Sequence, residues 1–144
     1  LKLTFHDHIG IKIHKTDLLL TGLIKAKLDP YNLAPEQNLI MMLLWEKDGI
    51  TQNQLVEKLN KDKTNIARMA SNLEKKGFIK RIPCTDDRRS VKLYLTPCGR
   101  DLENQVTPIA AEFNQIITNG ISKEELFELE RLLSIINENV RTTL

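Results

Sequence analysis

Residues 85–96 read Thr-Asp-Asp-Arg-Arg-Ser-Val-Lys-Leu-Tyr-Leu-Thr, so two carboxylates run straight into two guanidinium groups and an alternating segment follows. Paired arginines at a hairpin tip have an obvious chemistry. A narrow A·T-rich minor groove carries enhanced negative potential that attracts them. Arg89 is the residue expected to insert, and Arg88 the next for phosphate or groove contact. Asp87 stands two residues before Arg89, within reach across a tight turn for a charge-assisted pair. Such a pair would hold the guanidinium fork in one pose and lower the ordering cost of binding, while screening part of the attraction. An exposed ion pair stabilises a fold by only ~0–1 kcal/mol. A tip with two arginines therefore points to binding rather than to stability.

A second set lies upstream. Lys63, Thr64, Asn65 and Arg68 fall in the first two turns of a predicted helix. Asn can pair bidentately with adenine, Arg with guanine, and Thr can touch a thymine methyl or a phosphate. The helix N-terminus adds free N–H groups and a positive dipole end. These four are expected at base edges in the major groove. Ser71, Asn72 and Lys75 continue the same outward face. Gln52 and Gln54 begin the preceding helix, and these five suit the DNA backbone.

The charge distribution agrees. The chain has 144 residues and a net charge of +2, but Glu57–Lys92 holds eleven Lys/Arg against five acids, leaving +6 there and −4 elsewhere. A split of this kind fits one polyanion-binding face and another part with a different role.

Six helical patterns and one hairpin must position these residues. The first helix is predicted from about His6 to Leu28, with Asp29-Pro30 as its stop. Pro35 opens the second, which ends near Asp48-Gly49. Thr51-x-x-Gln54 is a capping box for a short third helix. Asp62 is the expected N-cap of the fourth and Gly77 its C-terminal stop, with Ile66, Met69, Ala70 and Leu73 forming one apolar stripe. Two strand-like runs follow, Phe78–Ile82 and Val91–Leu95, with Pro83 limiting the first. Thr96-Pro97 opens a long fifth helix that Asn119-Gly120 ends, and Ser122-x-x-Glu125 caps a sixth. A helix, a short helix, a tight turn, a helix and a hairpin describe a winged helix-turn-helix, whose second helix enters the major groove. The expected fold is mainly α with a small β-hairpin wing.

The segments "LAPEQNLIMMLLWEKDGITQNQLVEKLNKDKTNIARMASNLEKKGFIKR" and "DDRRSVKLYLTPCGRDL" resemble the MarR family of winged helix-turn-helix transcription regulators in order and spacing. The resemblance covers residues 33–100 closely and the flanking helices in pattern. It implies that the fourth helix is the recognition helix, and that Asp87 and Arg89 are the wing-tip pair. It further implies a bacterial homodimer on a palindromic double-stranded DNA operator, with release by a small molecule or an oxidant in many members. One departure is Ala34, where the family often has Thr or Ser before the proline, which weakens that helix cap.

One domain over 1–144 is expected, with a DNA-binding lobe at 33–100 and dimerisation helices at 1–30 and 101–144. Phe5, Leu18–Leu20 and "ELFELERLLSIINENV" are more apolar surface than a small winged lobe covers. A twofold dimer would set two recognition helices about 34 Å apart, one DNA turn. A cytoplasmic repressor responding to a small molecule is the leading expectation, with no cofactor.

A protein-binding winged helix would want a flat apolar recognition face, and this one is polar and basic. Redox sensing would fall to Cys84 or Cys98, the latter at a helix start where a thiol pKa can drop. Metal sensing would fall to His6, Asp7, His8 and His14, a weak ligand set. Trp45 is expected in the core. No glycine-rich phosphate loop, nucleophile elbow or paired His/acid motif points to an enzyme. No apolar run nears the ~20 residues that span a bilayer, no secretory leader pattern is visible, and the two cysteines fit a reducing compartment.

Overall fold

The computed structural model describes residues 2–86 and 90–144 of the chain. Six α-helices and three strands occur there: α1 (Ile9–Leu28), α2 (Pro35–Glu46), β1 (Ile50–Thr51), α3 (Gln52–Leu59), α4 (Lys63–Lys75), β2 (Ile79–Pro83), β3 (Val91–Leu95), α5 (Pro97–Ile117) and α6 (Lys123–Thr143). The chain forms two compact units, Leu1–Ala110 and Ala111–Leu144.

In the first unit, one core gathers a few side chains from each element. Leu28 closes α1, and Ile40, Met41 and Leu44 line the inner side of α2. Leu55 comes from α3, the predicted stripe Ile66, Met69, Ala70 and Leu73 from α4, Ile79 and Leu93 from the sheet, and Leu102 and Val106 from α5. Trp45 packs at the edge of this core and donates its indole N–H to the Gly99 carbonyl at 3.0 Å.

The sheet differs from the expected lone hairpin. It has three antiparallel strands in the order β1-β3-β2, with Ile50 opposite Leu93 and Arg81 also opposite Leu93 on the other side. Two residues make β1, too few for any alternation to show. Pro83 is the last residue of β2, paired with Val91, so the strand ends at the proline; β2 is an edge strand, where a missing N–H is tolerated.

The first helix begins later than its periodicity implies. Phe5–Asp7 is a separate 3-10 turn, and His8 is extended at φ −79°, ψ 117° before α1 starts. The cause is local: one Asp7 carboxylate oxygen accepts both the backbone N–H of Thr4 (3.0 Å) and its hydroxyl (2.7 Å).

The end of α4 has a specific geometry. Gly77 sits at φ +85°, a left-handed conformation that glycine adopts without a Cβ clash. Its N–H reaches the Glu74 carbonyl (3.0 Å) and the Phe78 N–H reaches that of Leu73 (3.1 Å), the paired bonds of a Schellman termination. Only Lys76, Gly77 and Phe78 lie between α4 and β2.

The second unit holds the last turns of α5 and all of α6. Ser122 and Glu125 cap α6 reciprocally, at 3.1 Å for the Glu125 N–H to the Ser122 hydroxyl and 2.9 Å for the return bond. None of its residues is buried, and Phe127 is 71% exposed.

Candidate nucleic-acid interface

The helix pair is built by caps at both starts. The Thr51 hydroxyl accepts the Gln54 N–H (3.1 Å) while the Gln54 side-chain oxygen accepts the Thr51 N–H (2.9 Å). Asn60 then turns the chain in the left-handed region at φ 52°, ψ 44°, a conformation Asn tolerates better than most residues. Asp62 caps α4 by accepting the Asn65 N–H at 2.7 Å. The start of α2 lacks one half of such a device, since Ala34 has no side-chain acceptor. Only the return bond remains, from the Ala34 N–H to the Gln37 oxygen at 3.2 Å.

The fourth helix has the two faces the sequence calls for. Ile66, Met69, Ala70 and Leu73 are buried. Lys63, Thr64, Arg68 and Lys75 are exposed, and Asn65, Ser71 and Asn72 half-buried. Gln54 is exposed with its oxygen engaged in the cap, and Gln52 is half-buried. The wing-tip residues Asp87, Arg88 and Arg89 lie outside the described residues.

Asn65 does more than line the face. Its side-chain N–H₂ donates to the second Asp62 carboxylate oxygen at 3.1 Å, and its oxygen accepts from the Arg68 guanidinium at 2.8 Å. Asp62, Asn65 and Arg68 thus form one hydrogen-bonded row, three residues apart each time, along the first two turns.

Three of the cations counted in the basic window serve the fold instead. Lys61 pairs with Glu36. Lys76 donates to the Asn32 carbonyl and the Gln37 side-chain oxygen, both at 2.7 Å, and burial lowers its ammonium pKa. Arg81 is held by Glu74, through its backbone N–H at 2.8 Å and its guanidinium at 3.1 Å and 3.2 Å. These bonds, the backbone one first, hold the Glu74 carboxyl below its ordinary pKa.

Two lysines were missed as candidates. Lys80 pairs with Tyr94 and Ile82 with Lys92, so Lys80 and Lys92 share one face of the hairpin, and both are exposed. Alternation along the two strands carries this signal, once the register is known.

At the base of the hairpin, the Thr96 hydroxyl donates to the Gly77 carbonyl (2.6 Å) and accepts the Gly99 N–H (3.0 Å). Asp48 joins in: its carboxylate accepts the Leu95 N–H at 2.8 Å and the Arg100 guanidinium at 3.1 Å. The turn that ends α4, the hairpin and the start of α5 are therefore bonded to one another at a single junction.

The sensing candidates are dispersed. Cys84 is half-buried beside the hairpin and Cys98 exposed in the first turn of α5. Asp7 is committed to Thr4, and no group of three or more His, Cys, Asp or Glu among the described residues could hold a metal ion. No helix among them is long and apolar enough to cross a membrane.

Comparisons with known proteins agree with this geometry. The MarR family model matches residues 33–91. The organic hydroperoxide resistance transcriptional regulator of Bacillus subtilis (strain 168) is 30% identical over 117 residues, covering 81% of this chain and 76% of the relative. The structure of a MarR transcriptional regulator from Methanosarcina mazei Go1 is 30% identical, with a TM-score of 0.81 and coverage of 94% of this chain and 98% of that one. A protein from Listeria monocytogenes, solved in complex with 26mer DNA, is 25% identical at a TM-score of 0.80, with 97% and 90% covered.

Proposed function

This chain belongs to the MarR family of transcriptional regulators, and on that premise we propose that it is a cytoplasmic homodimeric repressor that binds a palindromic operator and responds to a small molecule. In this reading α4 enters the major groove with Lys63, Thr64, Asn65 and Arg68, while Arg89 of the wing enters the adjacent minor groove, Arg88 meets phosphate or groove, and Asp87 stands beside them. Gln52, Gln54, Ser71, Asn72 and Lys75 meet the DNA backbone. The family consists of DNA-binding regulators rather than enzymes.

One observation carries the reading: α4 buries a complete apolar stripe and turns a polar, cationic face outward at the second position of a helix-turn-helix. The DNA held by the Listeria monocytogenes relative supports the same use of this fold. Exposed apolar side chains support the dimer. In the first unit Leu18 and Leu19 are 57% and 77% exposed, and in the second Phe127, Ile135 and Val140 stand open. Residues 1–30 and 101–144 are the segments we assign to dimerisation.

Binding of fluorescent duplexes across a salt series tests the reading. Each phosphate neutralised should steepen the fall of log K with log salt by about 0.9. An affinity that hardly changes with salt would remove DNA as the partner.

A further inference from the structure

Asn65 was expected at a base edge, yet both ends of its amide are already engaged. Its N–H₂ meets the Asp62 carboxylate and its oxygen meets the Arg68 guanidinium. The charges on either side leave one orientation of the amide. Flipping it would set N–H₂ against guanidinium donors and oxygen against a carboxylate. Presenting that amide edge to adenine would mean turning it away from these partners, both of them charged.

Arg68 is in the opposite condition. It is exposed, and among the described residues its one N–H bond, to Asn65, leaves the remaining guanidinium donors open. That is enough for a bidentate pair with the O6 and N7 acceptors of guanine.

We propose that Asn65 is a positioning residue: anchored on Asp62, it holds the Arg68 guanidinium in the pose that reads a G·C pair in the major groove. The inference rests on the DNA-binding reading above. Its physical content is preorganisation, since an arginine whose rotamer is set before binding loses less side-chain freedom on contact. Asp62 contributes twice. One oxygen caps the helix and the other holds the amide. Its negative charge also faces the polyanion, so the arrangement sacrifices some general affinity for placement of one reader.

The test uses the full-length chain and duplexes that the wild-type protein selects from a random-sequence pool. Affinity is measured at one salt concentration for the selected duplex and for each single-base-pair change in it. Arg68→Ala should relax the preference for G·C at one position of each half-site by on the order of tenfold. Asn65→Ala should relax that same position, by several-fold, and should add little in the double variant. Asp62→Ser keeps a capping oxygen for the helix, because serine is about as good an N-cap, but loses the oxygen that holds the amide. It should relax the same position while raising affinity for all duplexes, a pair of opposite effects that loss of structure cannot produce.

The proposal is overturned if Asn65→Ala relaxes an A·T position instead, or leaves the G·C preference intact. It is also overturned if Asn65→Ala weakens every duplex by one common factor. If the wild-type protein selects no sequence from the pool, the sequence-reading function itself fails and this inference fails with it.

Discussion

Glu74, in the last turn of α4, covers the open edge of β2: one carboxylate oxygen accepts the backbone N–H of Arg81 and the other holds its guanidinium. Among the described residues, β2 has β3 on one side and no strand on the other. The Arg81 N–H would otherwise face outward with no backbone partner, as edge-strand groups do. Because the carboxyl pKa is lowered in the folded state, this contact stabilises fully above the unfolded value near 4.5 and is lost as pH falls through the lower folded value. The Glu74→Gln variant should therefore be less stable than wild type at pH 7. The gap in urea midpoint should close as pH drops below about 4.5. Asp7, Glu125 and Glu128 have lowered pKa values too, so the difference between the two proteins, rather than the wild-type curve, is the measurement. A gap that persists unchanged at pH 3 would show that the ionised carboxylate is not its source.

Gly99→Ala should be among the most disruptive single substitutions in the chain. A Cβ there would lie 2.0 Å from the Phe78 carbonyl oxygen and 2.9 Å from its carbon. Both are backbone atoms, and that oxygen already accepts the Thr96 N–H. Overpacking costs typically about 1–3 kcal/mol where side chains can yield, and more is expected here because backbone must move. Thermal unfolding of the variant is the check; a melting temperature within a degree of wild type would mean the junction relaxes freely.

Lys63→Ala and Lys75→Ala should act on DNA binding in one common way. Each should weaken all duplexes similarly and reduce the salt slope by about one unit if the lysine meets a phosphate. Lys76→Met is the control, since Lys76 is spent on Asn32 and Gln37 within the fold. Its slope should match wild type.

Arg89→Ala should weaken binding most where the duplex carries A·T-rich sequence beside the recognition-helix contacts, because a narrow minor groove concentrates negative potential. Equal losses on A·T-rich and G·C-rich flanks would place Arg89 on phosphate instead.

Self-association is a separate prediction. The chain should sediment at twice the mass of one copy, and Phe127→Glu, which puts a charge on a 71%-exposed apolar side chain, should shift it toward a single copy without loss of helix content. A monomer at micromolar concentration in the wild type would remove the assignment of α6 to dimerisation.

The sequence made legible whatever is local. Thr51 with Gln54, Asp62, Gly77, Thr96 and Ser122 with Glu125 all cap or stop helices where their spacing says. The buried stripe of α4 follows from periodicity alone. What escaped involves partners far along the chain or signals too short to carry a period. β1 is two residues long. Charge counting assigned Lys61, Lys76 and Arg81 to a basic face, but Glu36, Gln37 and Glu74 claim them across 25, 39 and 7 residues of sequence. Asn65 stands half-buried on α4, and what its amide can reach is set by Asp62 and Arg68, three residues before and after it. Residue type indicates what a group can bond, and only the fold indicates whether that capacity is already used.

The short passage from α4 through Gly77 into β2 bears on operator architecture. With so little chain between them, the helix and the hairpin cannot swing independently to meet bases at a changed separation. Inserting one base pair between the sites they touch should therefore cost one of the two contacts outright, so operators of this protein should vary in base identity far more readily than in spacing within a half-site.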